Sequence, residues 1–425
     1  MILEFCATNY LSIKDELKLS FISTPLKESC SEPNDLFPLE DTGISLVRSV
    51  VIYGANASGK SNVLKAFDFY KRFITDSFKN NQAGEVIDVD NFRLNATTVN
   101  EPTTLEATFT DGEFIYRYGF EVDSQSVHEE WLYKRACRKR AKDVELFYRE
   151  GDKTTVHSKS QLIQELVNKK MVRSNALLLS TAAQFNEPTS VSILRWLSDT
   201  LVVFCSEDDH LWNNAIKHLD EESMRKRIIA FAKYADLGIE NITKIDNRIV
   251  SDHRQYDDEG REVNNVSFAF NRNESEGTIK YFSLAYPIID ALDNGKRIII
   301  DELDSKLHPL LAKRIVALFN DVQTNPKGAQ LLFTAHDTFL LGTGLFRRDQ
   351  VWFTQKDNFG ATELFSLAEY KVRSTSPFER DYLLGKYGAT PIIGEIEKVF
   401  NSSKRLWQND RRKTTECQNS HAVRE

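Results

Sequence analysis

Eight consecutive residues, Gly54-Ala55-Asn56-Ala57-Ser58-Gly59-Lys60-Ser61, have the types and spacing to cradle the phosphates of a nucleoside triphosphate. The glycines let backbone N–H groups approach the phosphates closely, and a helix N-terminus behind them adds partial positive charge. Lys60 is expected to reach the β- and γ-phosphates, and the Ser61 hydroxyl to ligate Mg²⁺. The flanks support this reading. Val50-Val51-Ile52-Tyr53 reads as a buried strand, and Val63, Leu64, Ala66, Phe67 and Tyr70 recur close to helical spacing. The nucleotide-binding stretch is thus expected to run from Gly54 to Asn62.

A second cluster supplies carboxylates. Arg297-Ile298-Ile299-Ile300-Asp301-Glu302 is a β-branched run ending in two acids, the pattern of a strand buried on both faces. Such strands present their C-terminal ends to the ligand crevice, which puts Asp301 and Glu302 beside the phosphates. Asp301 is expected to hold Mg²⁺, and Glu302 to orient and deprotonate the attacking water. A further apolar strand, Leu331-Leu332-Phe333-Thr334, ends at Ala335-His336-Asp337. One helix, Leu311–Phe319, separates the two strands, as a right-handed crossover requires. His336 is therefore expected to face the γ-phosphate. Lys60, Glu302 and His336 form the expected catalytic set, with Ser61 and Asp301 on the metal.

These residues need a scaffold, and 425 residues suffice for two or three compact units. The composition, 41% hydrophobic and 28% charged, is that of an ordinary soluble protein, and the net charge of −7 gives no overall nucleic-acid footprint. Five scattered cysteines without a C-x-x-C pair argue for reduced thiols and against disulfides or a zinc site. Neither a signal peptide nor a membrane span is visible, so a cytoplasmic protein is expected. Residues 1–22 alternate as two antiparallel strands, 23–45 read as a loop, and 85–122 as strands turning at Asp111-Gly112. Residues 158–237 are largely helical by period, in pieces such as Ser160–Val172, Ser190–Ser198 and Met224–Tyr234. Residues 240–270 return to strands with a turn at Asp257–Gly260, and the chain beyond about 402 is polar. Lys134, Arg135, Arg138, Lys139, Arg140 and Lys142 form the one basic cluster. It reads either as a patch for nucleic acid or an acidic partner, or as a solvated strand or loop.

The order of P-loop, Asp301-Glu302 strand followed by Asp304-Ser305-Lys306-Leu307-His308-Pro309, and strand-end His336 resembles the ATP-binding-cassette ATPase head of SMC-type and DNA-repair proteins. Asn9-Tyr10-Leu11-Ser12-Ile13 resembles the N-terminal strand of those heads. Ser275-Glu276-Gly277-Thr278 before an apolar helix, and Tyr382-Leu383-Leu384-Gly385-Lys386-Tyr387-Gly388-Ala389-Thr390-Pro391, resemble the AAA15, OLD-like family (RloA- and AbiL-like). The resemblance implies an α/β fold: a mixed sheet with a P-loop core, an antiparallel β-subdomain, and an inserted, mainly helical region. Residues 1–124 would form the N-terminal lobe, 125–270 the insertion, 271–400 the C-terminal lobe and 401–425 a polar tail. It further implies ATP and Mg²⁺ as cofactors, with ATP sandwiched between two heads and Ser275 and Gly277 in the signature role. A Ser-x-Gly at a helix N-terminus does offer a hydroxyl, free N–H groups and a dipole to a γ-phosphate. The flanking Glu274 and Glu276 place carboxylates nearby. The Phe92–Asn95 stretch is expected to stand in for a Mg²⁺-sensing Gln.

Too little chain follows His336 for the Toprim nuclease of OLD-type proteins, so the effector is expected to be a separate protein. The family likeness then points to the ATPase of two-gene antiphage or abortive-infection systems of the PARIS, AbiL and Septu types. Such an ATPase pairs with itself, answers a phage-derived trigger and controls a nuclease or toxin. Nucleic acid is a secondary partner and a membrane is not one. The competing reading is a DNA-repair or DNA-end-processing head.

Overall fold

A strand buried at every residue needs cover on both faces, and Ser49–Gly54 finds it in the interior of a six-stranded sheet. In the computed structural model the order across this sheet is Thr200–Val203, Arg297–Ile300, Gln330–Thr334, Ser49–Gly54, Val351–Lys356, Thr362–Ser366. The first five strands run parallel and the last returns antiparallel. Side chains alternate between faces: Val50, Ile52, Ile299 and Leu332 enter one core, while Val51, Ile298, Ile300, Leu331 and Phe333 enter another. The helix Pro309–Asn320 connects Arg297–Ile300 to its parallel neighbour Gln330–Thr334, the crossover the spacing predicts.

The structure describes residues 1–25, 36–80, 84–157, 159–204, 208–234, 238–245, 248–373 and 376–391. Met1–Ala389 form one compact unit, and only Thr390 and Pro391 of a second, Thr390–Glu425, are described. The expected tail 401–425, and residues 392–400 of the expected C-terminal lobe, lie outside the described residues. No helix among the described residues is long and apolar enough to cross a membrane.

The helix Lys60–Asn80 lies in the first core, which it shares with a seven-stranded antiparallel sheet. That sheet runs Lys153–Val156, Val144–Glu150, Val127–Ala136, Phe114–Val122, Thr103–Thr110, Ile2–Thr8, Leu17–Ser20. Tyr70 stacks on Phe120 at 5.6 Å and Phe67 meets Phe5 edge-on at 5.1 Å. Such pairs add about 0.5–1.5 kcal/mol each beyond area burial. The P-loop helix is therefore clamped along its apolar side. The two N-terminal strands and the hairpin at Asp111-Gly112 form as the sequence predicts. On the opposite face of the P-loop sheet, the helices Glu276–Asn294 and Pro309–Asn320 fill the second core.

The stretch 125–270, expected as an inserted and mainly helical region, is divided among three parts of the molecule. Its first strands extend the seven-stranded sheet, so a boundary at 124 cuts that sheet in two. The helices Gln161–Asn168, Leu178–Gln184 and Pro188–Ser198 back the first core. The fully buried Glu130 carboxylate accepts the Leu178 and Leu179 N–H groups at 2.7 and 2.9 Å, fastening a helix start to the sheet. Thr200–Val203 then leaves the helices and becomes the edge strand of the P-loop sheet. Its four residues are too few for a period, and their pairing partner lies about a hundred residues ahead.

The remainder forms a third core. The helices Asp208–His218 and Glu222–Lys233 pack with the three-stranded sheet Ile239–Ile245, Arg248–Tyr256, Glu262–Ala269, and with Phe282, Ala285 and Ile289 of the helix Glu276–Asn294. Within the expected loop 23–45, residues 26–35 lie outside the described residues, and Phe37–Leu39 pairs with Ile44–Leu46 as a short ribbon.

Candidate functional site

The strand Ser49–Gly54 ends where the phosphate loop begins, and the helix starts at Lys60. Between them Ala57 and Gly59 take left-handed backbone conformations, φ 63° and 108°. Such local reversals gather backbone N–H groups into an anion-binding concavity. Gly59 is required for a second reason: a Cβ there would sit 2.1 Å from the Thr362 Oγ1.

Side chains from distant strands brace the loop. Asn62 Nδ2 donates to Ser12 Oγ (2.6 Å), Ser12 Oγ to Thr362 Oγ1 (2.8 Å), and Thr362 Oγ1 to the Ser58 carbonyl (3.0 Å). The Ser58 hydroxyl lies 2.7 Å from Thr354 Oγ1. None of Thr354, Thr362 or the role of Ser12 follows from the motif. Ser12 does lie within Asn9–Ile13, the stretch read as resembling an N-terminal strand, but the strand Ile2–Thr8 has ended there and the chain turns, with Tyr10 bridging Ile13. Thr354 and Thr362 carry no local signal.

Lys60 is buried, and its ammonium donates to the Gly54 and Ala55 carbonyls at 2.8 and 3.2 Å. Burial pushes the Lys60 ammonium below its usual range, against the pull of the Asp301, Glu302 and Asp304 carboxylates. The two acids stand at the end of Arg297–Ile300 as expected. Asp301 Oδ1 accepts the Thr334 hydroxyl at 2.7 Å, and Glu302 lies at φ 51° with its carboxylate 3.3 Å from His336 Nε2. Asp304 fixes the turn that carries the histidine: its Oδ2 accepts the His336 and Asp337 N–H groups at 2.8 and 2.6 Å.

A cleft of about 620 Å³ is lined by Asn56 through Asn62 together with Glu302 and His336. Three sequence-distant segments thus converge on one cleft. Gly54 and Ala55 stand behind it as acceptors for Lys60. A neighbouring cleft of about 930 Å³ has both Ser61 and Asp301 in its wall, so the two expected metal ligands share one space. A hydroxyl and a carboxylate are hard oxygen donors that suit Mg²⁺. Among the described residues no three His, Cys, Asp or Glu side chains gather into a cage of their own. The donor set therefore fits Mg²⁺ held jointly with phosphate oxygens.

Ser275 and Gly277 are not in the wall of the phosphate cleft. Ser275 caps the helix Glu276–Asn294, its Oγ accepting Thr278 N–H at 3.1 Å. Gly277 packs so tightly on the turn after Glu302 that a Cβ would lie 2.7 Å from the Lys306 carbonyl. Lys280 Nζ of the same helix donates to the Glu302 and Ser305 carbonyls at 2.9 and 2.8 Å. The flanking acids are engaged elsewhere. Glu274 accepts hydrogen bonds from Ser251 and His253, and Glu276 lies 3.7 Å from Lys306 Nζ. The Phe92–Asn95 stretch does not join the metal residues. Phe92 is buried with its N–H on Asn9 Oδ1 (3.0 Å), and Phe92 to Leu94 line a separate cleft with Ser12 and Asn62. The strand end beside Asp301 is instead that of Thr200–Val203, whose Val203 carbonyl accepts the Asp301 N–H at 2.9 Å.

The family model described as "AAA domain, putative AbiEii toxin, Type IV TA system" matches residues 49–342. No curated protein matches the chain. Among solved structures, the SMC head domain from Thermotoga maritima is 13% identical, with 86% of this chain and 98% of that one covered and a TM-score of 0.40. The recombination mediator protein RecF of the RecFOR pathway with ATPrS is 11% identical, with 86% and 98% covered and a TM-score of 0.28. The same mediator with ATP is 12% identical, with 86% and 97% covered and a TM-score of 0.28. The family match runs from the strand before the P-loop to beyond His336 and takes in most of the chain, which therefore belongs to this AAA-domain family.

Proposed function

We propose that this chain is an ATP-hydrolysing head that pairs with a second copy of itself and serves, in the cytoplasm, as the sensor and scaffold of a bacterial antiphage system of the AAA15, OLD-like kind. The observation that carries the nucleotide reading is the convergence of Asn56–Asn62, Glu302 and His336 on one cleft. The loop amides and Lys60 would hold the triphosphate, with Ser61 and Asp301 on Mg²⁺. Bound Mg²⁺ would neutralise charge developing on the β- and γ-phosphates. Glu302 orients the water and takes its proton, and His336 holds Glu302 from one side while facing the γ-phosphate.

The pairing part of the proposal rests on the resemblance that gives Ser275 and Gly277 the signature role, and their position is compatible with it. Ser275 caps the helix Glu276–Asn294 and Gly277 lies in its first turn, both outside the wall of their own phosphate cleft, where a second copy would bring them to the γ-phosphate. Mixing Lys60→Ala chains with Ser275→Arg chains is expected to restore ATP turnover in part, because one composite site in the mixed pair is intact. Turnover that stays at the level of the separate variants, with subunit exchange shown, overturns the pairing.

The defence role rests on the family description, which names a type IV toxin–antitoxin system, and on the resemblance drawn from the motifs. Expressed alone, the chain is expected neither to cut nucleic acid nor to harm cells. Co-expressed with its genetic neighbour it should retain that protein on an affinity column. One feature favours a DNA-processing head instead: Arg138, Lys139, Arg140 and Lys142 are exposed on the hairpin joining Val127–Ala136 to Val144–Glu150. Duplex binding by the isolated chain that weakens steeply with salt, with no neighbour retained, decides for that reading.

A further inference from the structure

Thr334 is fully buried at the end of the strand Gln330–Thr334, two residues before His336. Nothing in the P-loop motif or the Asp301-Glu302 pair calls for a hydroxyl there. Its oxygen accepts the Glu302 N–H at 2.7 Å and lies 2.7 Å from Asp301 Oδ1. A hydroxyl has one proton, and an ionised carboxylate can only accept. With Glu302 N–H already pointing at the oxygen, the Thr334 proton goes to Asp301. One side chain thus sets the rotamer of the expected metal carboxylate and the backbone of the expected general base.

The second bond bears on geometry that is costly to hold. Glu302 sits at φ 51°, a left-handed conformation that residues other than glycine seldom adopt. The Thr334 oxygen holds the Glu302 amide there, and in that pose the carboxylate reaches His336 Nε2 at 3.3 Å. Without the acceptor, the Glu302 amide loses a partner that favours the strained pose, and the carboxylate is no longer aimed.

Building on the nucleotide reading above, we propose that Thr334 is a positioning residue that couples Mg²⁺ affinity to the aim of Glu302. Groups that orient metal ligands from behind typically govern affinity or rate by about 10–100-fold. Thr334→Val keeps the shape and removes the hydroxyl. It is expected to raise the Mg²⁺ concentration for half-maximal hydrolysis about tenfold or more and to lower kcat by a similar factor. ATP binding in EDTA should stay within about twofold of wild type, since neither bond touches the phosphate loop. Thr334→Ser, which keeps the hydroxyl, should restore both properties.

A measurement independent of turnover is the rise in Tm that Mg²⁺ adds to the ATP-bound protein. That increment should shrink in Thr334→Val and persist in Thr334→Ser. Should the valine variant not fold, Thr334→Cys, with a weak hydrogen-bonding thiol of similar size, carries the same expectation. A wild-type Mg²⁺ titration and Tm increment in Thr334→Val, with ATP binding intact, overturn the assignment. So does a serine variant that fails as the valine does, because the hydroxyl alone then does not account for the effect. Absence of ATP binding by the wild-type chain overturns the nucleotide reading itself, and is told apart by the EDTA arm.

Discussion

Lys60→Ala protein is expected to lose ATP binding almost entirely, with affinity reduced by a factor of about 10² or more. Among the described residues Lys60 is the only ammonium in the wall of the phosphate cleft, and it is the first residue of the helix behind the loop. Its side chain is held by the Gly54 and Ala55 carbonyls, so the charge is already directed to the loop before a phosphate arrives. Burial disfavours the charged ammonium, and a polyanionic ligand would reverse that penalty, which makes the group more effective than an exposed lysine. Truncation also removes this donor from both carbonyls, although the Ala55 carbonyl keeps the Ser58 N–H at 3.1 Å. Lys60→Met, which keeps the aliphatic stem, separates loss of charge from loss of packing and should fail equally. Equilibrium titration with a fluorescent ATP analogue reads the effect directly. Undiminished binding and turnover in Lys60→Ala would remove the phosphate-site assignment.

Glu302→Gln is expected to keep ATP and slow its hydrolysis by a factor of about 10² or more, the loss typical of a missing general base. The substitution leaves the backbone bonds at this position untouched: Glu302 N–H still meets Thr334, and its carbonyl still accepts Lys280. The amide can also still meet His336, so the cleft keeps its shape while losing the carboxylate. ATP-bound pairs of chains should therefore accumulate, visible as a shift in size-exclusion elution on adding Mg²⁺ and ATP. A wild-type hydrolysis rate in this variant assigns the base elsewhere and sinks the proposed role of Glu302.

These two substitutions act on residues that could be read from short contiguous strings. A phosphate loop works through backbone amides and a helix end, so its residues must be neighbours in sequence, and Gly54–Ser61 announces itself. Asp301, Glu302 and His336 were legible for a related reason. Each ends an apolar run, and parallel strands deliver their C-terminal ends to one edge of the sheet. The strand–loop–helix unit, the N-terminal strand pair, the hairpin at Asp111-Gly112 and the crossover helix are likewise local patterns that the structure contains.

Tertiary structure alone decided the rest. Thr200–Val203 is a strand because Arg297–Ile300 offers it a ladder, not because four residues carry a period. Thr354 and Thr362 come from strands about three hundred residues beyond the loop they brace, and no spacing rule links them to it. Thr334 reads as one more strand residue until its hydroxyl is found between Asp301 and Glu302. Ser275 and Gly277 were visible as a helix start, but only the folded chain shows them outside their own phosphate cleft. The division has a physical cause. Groups that act through backbone amides or a strand end must be contiguous, whereas a side-chain hydrogen bond can come from any element that packing brings within about 3 Å.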